Sequence, residues 1–282
     1  DKASSVSRFS IIPRSATTYH AHDRPSPSAN CAMYIMDAVE CLGTILAMAY
    51  LIIAFATLLT SIISGVLSMA GGVILMGVLS LLLPVSAAMV LHGVAQTASN
   101  GSRIVFHRTH IRWPVLIPYL IGALAAVAIF TVFIFVPQKA LILIVVGLFP
   151  FLSLAIPDRL NLDIERPVVA TICGFLVTAT QLVAGASGPV LDMFYVKSRL
   201  TRHQVLATKS VTQTSSHVIK LGYYLTVDLP FWVYMLVIAA ASAGNSVGKS
   251  LVAKIDDVQF RYAGRIIILT MGTLFLGNGL SL

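Results

Sequence analysis

His92, Gln96, Ser99 and Arg103 stand at positions i, i+4, i+7 and i+11 and so share one narrow face of a helix. A second set, Lys209, Gln213, Ser216 and Lys220, repeats that face 117 residues on (209 − 92 = 117). Cations, amides and hydroxyls dominate both faces, a chemistry suited to holding an anion. Lys209 brings a full positive charge, and His92 and His217 bring one when protonated. Thr97, Asn100 and Thr214 add donors close by. No nucleophile stands beside a base, and Cys31, Cys41 and Cys173 share no metal-ligand spacing. We expect no catalytic residue, no metal and no cofactor, hence not an enzyme.

The surroundings of these faces fix the solvent in which they work. Hydrophobic residues make up 57% of the 282, charged residues only 11%, and mean hydropathy is +0.88. A soluble domain carries about a quarter charged residues. The apolar residues fall in runs such as 42–63, 115–136 and 232–243, and roughly 20 in a row cross a bilayer. The expected fold class is an all-α integral membrane protein, with lipid as one partner. A net charge of +8 would suggest nucleic acid in a soluble chain. Here most cations fall in short loops between apolar runs, so no nucleic-acid partner is expected. In lipid, ionisable and amide groups face a cavity or each other. A lone hydroxyl reads as packing between helices; two matched stripes read as a solute path.

Helices are expected at about 41–63, 72–83, 86–106, 113–136, 138–156, 167–183, 189–199, 202–226, 230–253 and 262–281. The second and seventh are too short to span, and each follows a break of small residues. These breaks are Ser68-Met69-Ala70-Gly71-Gly72 and Ala184-Gly185-Ala186-Ser187-Gly188-Pro189. Freed backbone groups must face protein or water in a membrane, so 41–83 and 167–199 read as hairpins whose tips meet inside. Gly71, Gly72, Ser187 and Gly188 would offer N–H donors at helix N-termini, where negative charge is favoured. Gln96, Ser99, Gln213 and Ser216 fall mid-helix beside them, with Arg103 guarding the inner mouth and Lys220 the outer. Asp192 either pairs with Lys209 or carries a proton. With His92, Arg103 and Lys220 it forms the set expected to gate or to couple a proton.

The segments from Val94 and from Val211 match at the same offset (211 − 94 = 117), Gln-Thr-Ala-Ser against Gln-Thr-Ser-Ser, and the breaks nearly share it (188 − 72 = 116). Since 86–106 runs inward and 202–226 outward, the halves form an inverted repeat. The expected organisation is a polar, disordered tail at 1–40, a first repeat at 41–156, a cytoplasmic linker at 157–166 and a second repeat at 167–282. Met33 and Met36 are candidate translation starts. Arg108, Arg112, Arg159, Arg166 and Arg199 crowd one side against Lys139 and Lys220 on the other, which makes the crowded side cytoplasmic. The run Ala243 to Ser250 ends like a phosphate-binding loop but lacks its first glycine and a preceding strand. Gly244 and Gly248 read instead as a packing face.

The glycine-bearing turns Ser64-Gly65-Val66-Leu67-Ser68-Met69-Ala70-Gly71-Gly72 and Gly174-Phe175-Leu176 through Gly185-Ala186-Ser187-Gly188-Pro189, each followed by a polar helix, resemble the TauE/SafE family of sulfite and organosulfonate exporters. The resemblance covers most of 41–281. It implies export of sulfite, sulfoacetate or a similar small sulfur oxyanion from a bacterial cytoplasm across the inner membrane, coupled to a proton or sodium gradient. The residues by themselves leave open a channel, a permease for another carboxylate or inorganic anion, and self-association into a homo-oligomer.

Overall fold

The computed structural model describes residues 27–67, 70–133, 135, 137–155, 162–195, 198–224, 229–252 and 257–282. These form ten α-helices: α1 (Pro27–Leu67), α2 (Ala70–Leu82), α3 (Val85–His107), α4 (Trp113–Phe133), α5 (Lys139–Ala155), α6 (Pro167–Ala184), α7 (Gly188–Tyr195), α8 (Arg202–Tyr223), α9 (Phe231–Val252) and α10 (Asp257–Leu280). A single 3-10 turn at Arg108–His110 separates α3 from α4. Among the described residues there is no strand. Asp1–Ala47 and Met48–Leu282 are separate compact units.

The expected tail at 1–26, part of the linker (156–161, with Arg159), and Ser68 and Met69 of the first break lie outside the described residues. Residues 27–40, read from their polarity as tail, are helix. Proline suits a first helical position, where its missing N–H has no partner to lose. No glycine or further proline interrupts 28–40.

Among the described residues, four helices are long and apolar enough to cross a membrane: Asp37–Gly65, Trp113–Phe133, Pro167–Ala184 and Phe231–Leu251. Large apolar side chains such as Phe55, Ile117, Leu124, Ile172 and Trp232 point outward from them. Water would make such surfaces sticky; acyl chains solvate them. This is a multi-pass membrane protein. The two short helices expected after the breaks are present, α2 with 13 residues and α7 with 8.

Small residues set the helix contacts. A methyl group on Gly122 of α4 would strike the Thr171 carbonyl of α6, and one on Gly174 would strike the Tyr119 carbonyl of α4. On α9, Gly244 lies against the Leu58 carbonyl of α1, and Gly248 lies against Ile62 and Gly65. This stretch, whose ending suggested a phosphate loop, is plain helix and packs as a glycine face. At Gly147 of α5 an added methyl would lie 2.8 Å from the Gly272 carbonyl of α10. Such close approach is the usual device where helices have no hydrophobic drive to associate. Helices α3 and α8 run antiparallel: His92 meets Lys220 at one end, and His107 meets His203 at the other.

Replacing Gly174 with Val should cost about 1–3 kcal/mol or more, because neither backbone can give way. Gly101→Ala, with open space around it, should be neutral. Thermal unfolding of both variants in detergent checks the contrast.

Candidate anion site

Two interrupted hairpins build the site. In the first, α2 folds back so tightly that Gly71 abuts the Thr60 carbonyl and the Ser64 side chain of α1. In the second, Gly185 closes α6 in the left-handed conformation (φ 74°) that glycine tolerates, its N–H donating to the Gln181 carbonyl at 2.9 Å. Ala186 and Ser187 follow without helix, and α7 begins at Gly188. Helix α8, which faces these breaks, starts from a capping box. The Thr201 hydroxyl accepts from Gln204 N (3.4 Å), and the Thr201 N–H donates to Gln204 Oε1 (3.0 Å).

The tips share one pocket. Ser64 and Gly72 line it from the first hairpin, Ser187 and Gly188 from the second, His92 and Gln96 from α3, and Gln213 and His217 from α8, with Val73 and Ala186 completing it. The lining contains no carboxylate. Gln96 and Gln213 face the same space without a hydrogen bond between them among the described residues, and an added methyl on Gly72 would sit 3.2 Å from the Gln96 amide. The cavity measures about 20 Å³, room for about one water. That is too little room for a sulfonate.

A polar network ties the tips together. His92 Nε2–H donates to the Gly72 carbonyl at 2.8 Å, which leaves Nδ1 to accept from Lys220 Nζ at 2.8 Å. The same ammonium donates to the Gly185 carbonyl at 2.9 Å. Ser187 donates to Gln181 Oε1 (2.5 Å), so the Gln181 amide nitrogen donates to His217 Nδ1 (2.6 Å) and His217 keeps its hydrogen on Nε2. The two imidazoles lie 5.4 Å apart. Lys220, expected to guard the outer mouth, is completely buried. Its long side chain turns inward because a free carbonyl at the end of α6 awaits a donor.

Arg103 does the same for the other hairpin. Its Nη2 donates to the Ser64 carbonyl (2.7 Å) and hydroxyl (3.1 Å) near the end of α1. Its Nε donates to Asn245 Oδ1 (3.1 Å), and Asn245 Nδ2 donates to the Ser102 hydroxyl (2.6 Å). Both repeat-matched cations thus hold the carbonyl end of a hairpin's first helix, where the dipole favours them.

Other expected residues are engaged elsewhere. Lys209 forms a buried ion pair with Asp192; of the two roles left open for that carboxylate, the structure displays the pairing. Ser216 bonds the Tyr119 hydroxyl (2.6 Å) and Thr178 (3.3 Å), away from the pocket lining. Asn100 Oδ1 accepts from Arg103 at 3.4 Å. The hydroxyls of Thr97, Ser99 and Thr214 are buried without a hydrogen-bond partner, the two threonines at matched positions. Gln181, Asn245 and Ser64 were missed by sequence reading. Gln181 carries a signal after all: it follows Ser64 by the repeat offset (181 − 64 = 117).

A pocket lined by amides, imidazoles and hydroxyls thus lies between two helix breaks of a multi-pass helical protein. The family profile Sulfite exporter TauE/SafE matches residues 53–275, and the chain belongs to that family. No curated protein and no solved structure matches it.

Removing Lys209 strands the Asp192 carboxylate. Lys209→Met should destabilise the protein by about 3–5 kcal/mol, and Lys209→Met with Asp192→Asn should recover most of it. Unfolding of the three proteins measures the recovery.

Proposed function

We propose that the protein is a secondary transporter that exports a small sulfur-containing anion, sulfite or an organosulfonate such as sulfoacetate, across a bacterial inner membrane. Membership in the sulfite exporter family supports the solute class. The observation that carries the reading is the pocket itself, lined from both hairpins and both polar helices by amides, imidazoles, hydroxyls and backbone but by no carboxylate.

In this reading the halves are an inverted repeat, the hairpins are re-entrant, and the anion sits near the midplane between Gly72 and Gly188. Helix contacts support it. α4 packs on α6 as α9 packs on α1, while α3 meets α8 and α5 meets α10, each helix beside its own counterpart. Gln96, Gln213, His92 and His217 supply side-chain donors, and Gly71, Gly72, Ser187 and Gly188 bring the backbone close. Thr97, Ser99, Asn100, Thr214 and Ser216 form the shell behind them. The small cavity is the occluded state, and parting of the tips admits solute to one side at a time. A proton or sodium ion drives the cycle.

Proteoliposomes given sulfite, sulfoacetate, taurine or sulfate should show saturable flux of the first two. Gln96→Leu and Gln213→Leu should each raise KM about tenfold or more, the loss of a hydrogen bond to a charged ligand. Gly72→Ala should leave the unfolding temperature near that of the parent while raising KM, because the methyl displaces only the Gln96 amide. Linear, non-saturating flux would point to a channel.

A further inference from the structure

The pocket leaves unexplained a group of bases at the opposite end of α3. The rings of His107 and His203 lie 6.0 Å apart, and those of His110 and His203 lie 5.3 Å apart. They come from α3, the 3-10 turn and α8. From α9, Lys249 Nζ stands 3.9 Å over the Phe106 ring. His110, His203 and Lys249 are exposed and His107 is partly so. The titratable neighbours that act on His107 are all basic side chains: His203, Lys249, His110 and Arg103. Arg108 and Arg112 follow directly in sequence. The nearby carboxylate of Glu165 is held by Arg112 at 3.3 Å. Basic groups gathered this closely, with no carboxylate bonded to them among the described residues, draw mobile anions to themselves.

We propose that His107, His110, His203 and Lys249 form a second anion site, a vestibule that collects the small oxyanion on the loop-cation side of the membrane before it passes Arg103 towards the pocket. The inference rests on the transport reading above. Arg103 lies one helical turn deeper than His107 on α3, so the vestibule opens onto the first hairpin's clamp. Three imidazoles and an ammonium present several N–H donors to a tetrahedral sulfonate and exclude cations by charge. Burial holds the His107 imidazole below its ordinary pKa, and His203, Lys249, His110 and Arg103 push it the same way. It is therefore neutral near pH 7 and gains charge as the pH falls, and a bound anion favours that charged form. Anion capture should strengthen on mild acidification.

Sulfoacetate is a suitable probe, since its own charge is constant between about pH 6 and pH 8. The full chain is reconstituted in membrane vesicles of both orientations and initial rates are measured at low ionic strength. From the vestibule side, H107Q/H110Q/H203Q and, separately, K249Q should raise KM about three- to tenfold with kcat unchanged. The triple variant should also lose the fall in KM that the parent shows towards about pH 6. From the other side neither variant should change KM, and roughly 0.5 M salt should erase the difference. If the triple variant fails to fold, His203→Gln alone and the salt dependence of the parent's KM from each side carry the test. An unchanged KM from the vestibule side, a loss confined to kcat, or equal salt dependence from both sides overturns the vestibule while transport stands. A chain that moves no oxyanion from either side sinks the transport reading and the vestibule together.

Discussion

Everything in this molecule turns on one constraint: a helix interrupted inside a membrane leaves backbone carbonyls and N–H groups that lipid cannot satisfy. The sequence interrupts two helices, and a basic side chain answers each interruption, Lys220 fully buried and Arg103 partly so. Arg103 holds the Ser64 carbonyl near the end of α1 and Lys220 holds the Gly185 carbonyl after α6. With the carbonyl ends so occupied, the N–H ends of α2 and α7 remain near Gly72 and Gly188, on the wall of the shared pocket. The breaks are therefore structurally stable and chemically one-sided. The Gly72 and Gly185 carbonyls are already bonded, by His92 and Lys220.

That one-sidedness connects fold to function. On the proposed reading, a cavity walled by amides, imidazoles, hydroxyls and small residues, with no carboxylate, suits a negative charge. The ion pair of Lys209 with Asp192 sits apart from the lining, so the carboxylate that would repel an anion is neutralised outside its path. Lys220 and His92 join the two tips through a single ammonium. The two tips thus share one hydrogen-bond network.

Composition and period made the helices, both breaks and the short α2 and α7 legible, because Gly and Pro punctuate apolar runs unmistakably. The repeat offset picked out Arg103 and Lys220 as equivalents. It could not tell that both turn inward to backbone carbonyls, since a side chain's direction depends on what a distant helix leaves unbonded. The partner of Ser216 was hidden for the same reason: Tyr119 on α4 bonds its hydroxyl, and nothing in the spacing of α8 announces α4. Asn245 was hidden in a stretch that resembled a phosphate loop, and the packing of α9 on α3 brings it to Arg103. The start of α1 was misread from polarity alone, although residues such as Ala32, Met33 and Ala38 suit a helix well.

The central claim is that a sulfur oxyanion is held between the two hairpin tips. A structure solved with bound sulfoacetate tests it most directly. The account predicts density for the sulfonate between Gly72 and Gly188, within hydrogen-bond distance of Gln96 and Gln213, in a cavity widened by separation of the tips. Density elsewhere, or a direct Gln96–Gln213 contact that seals the pocket in every state, would contradict it.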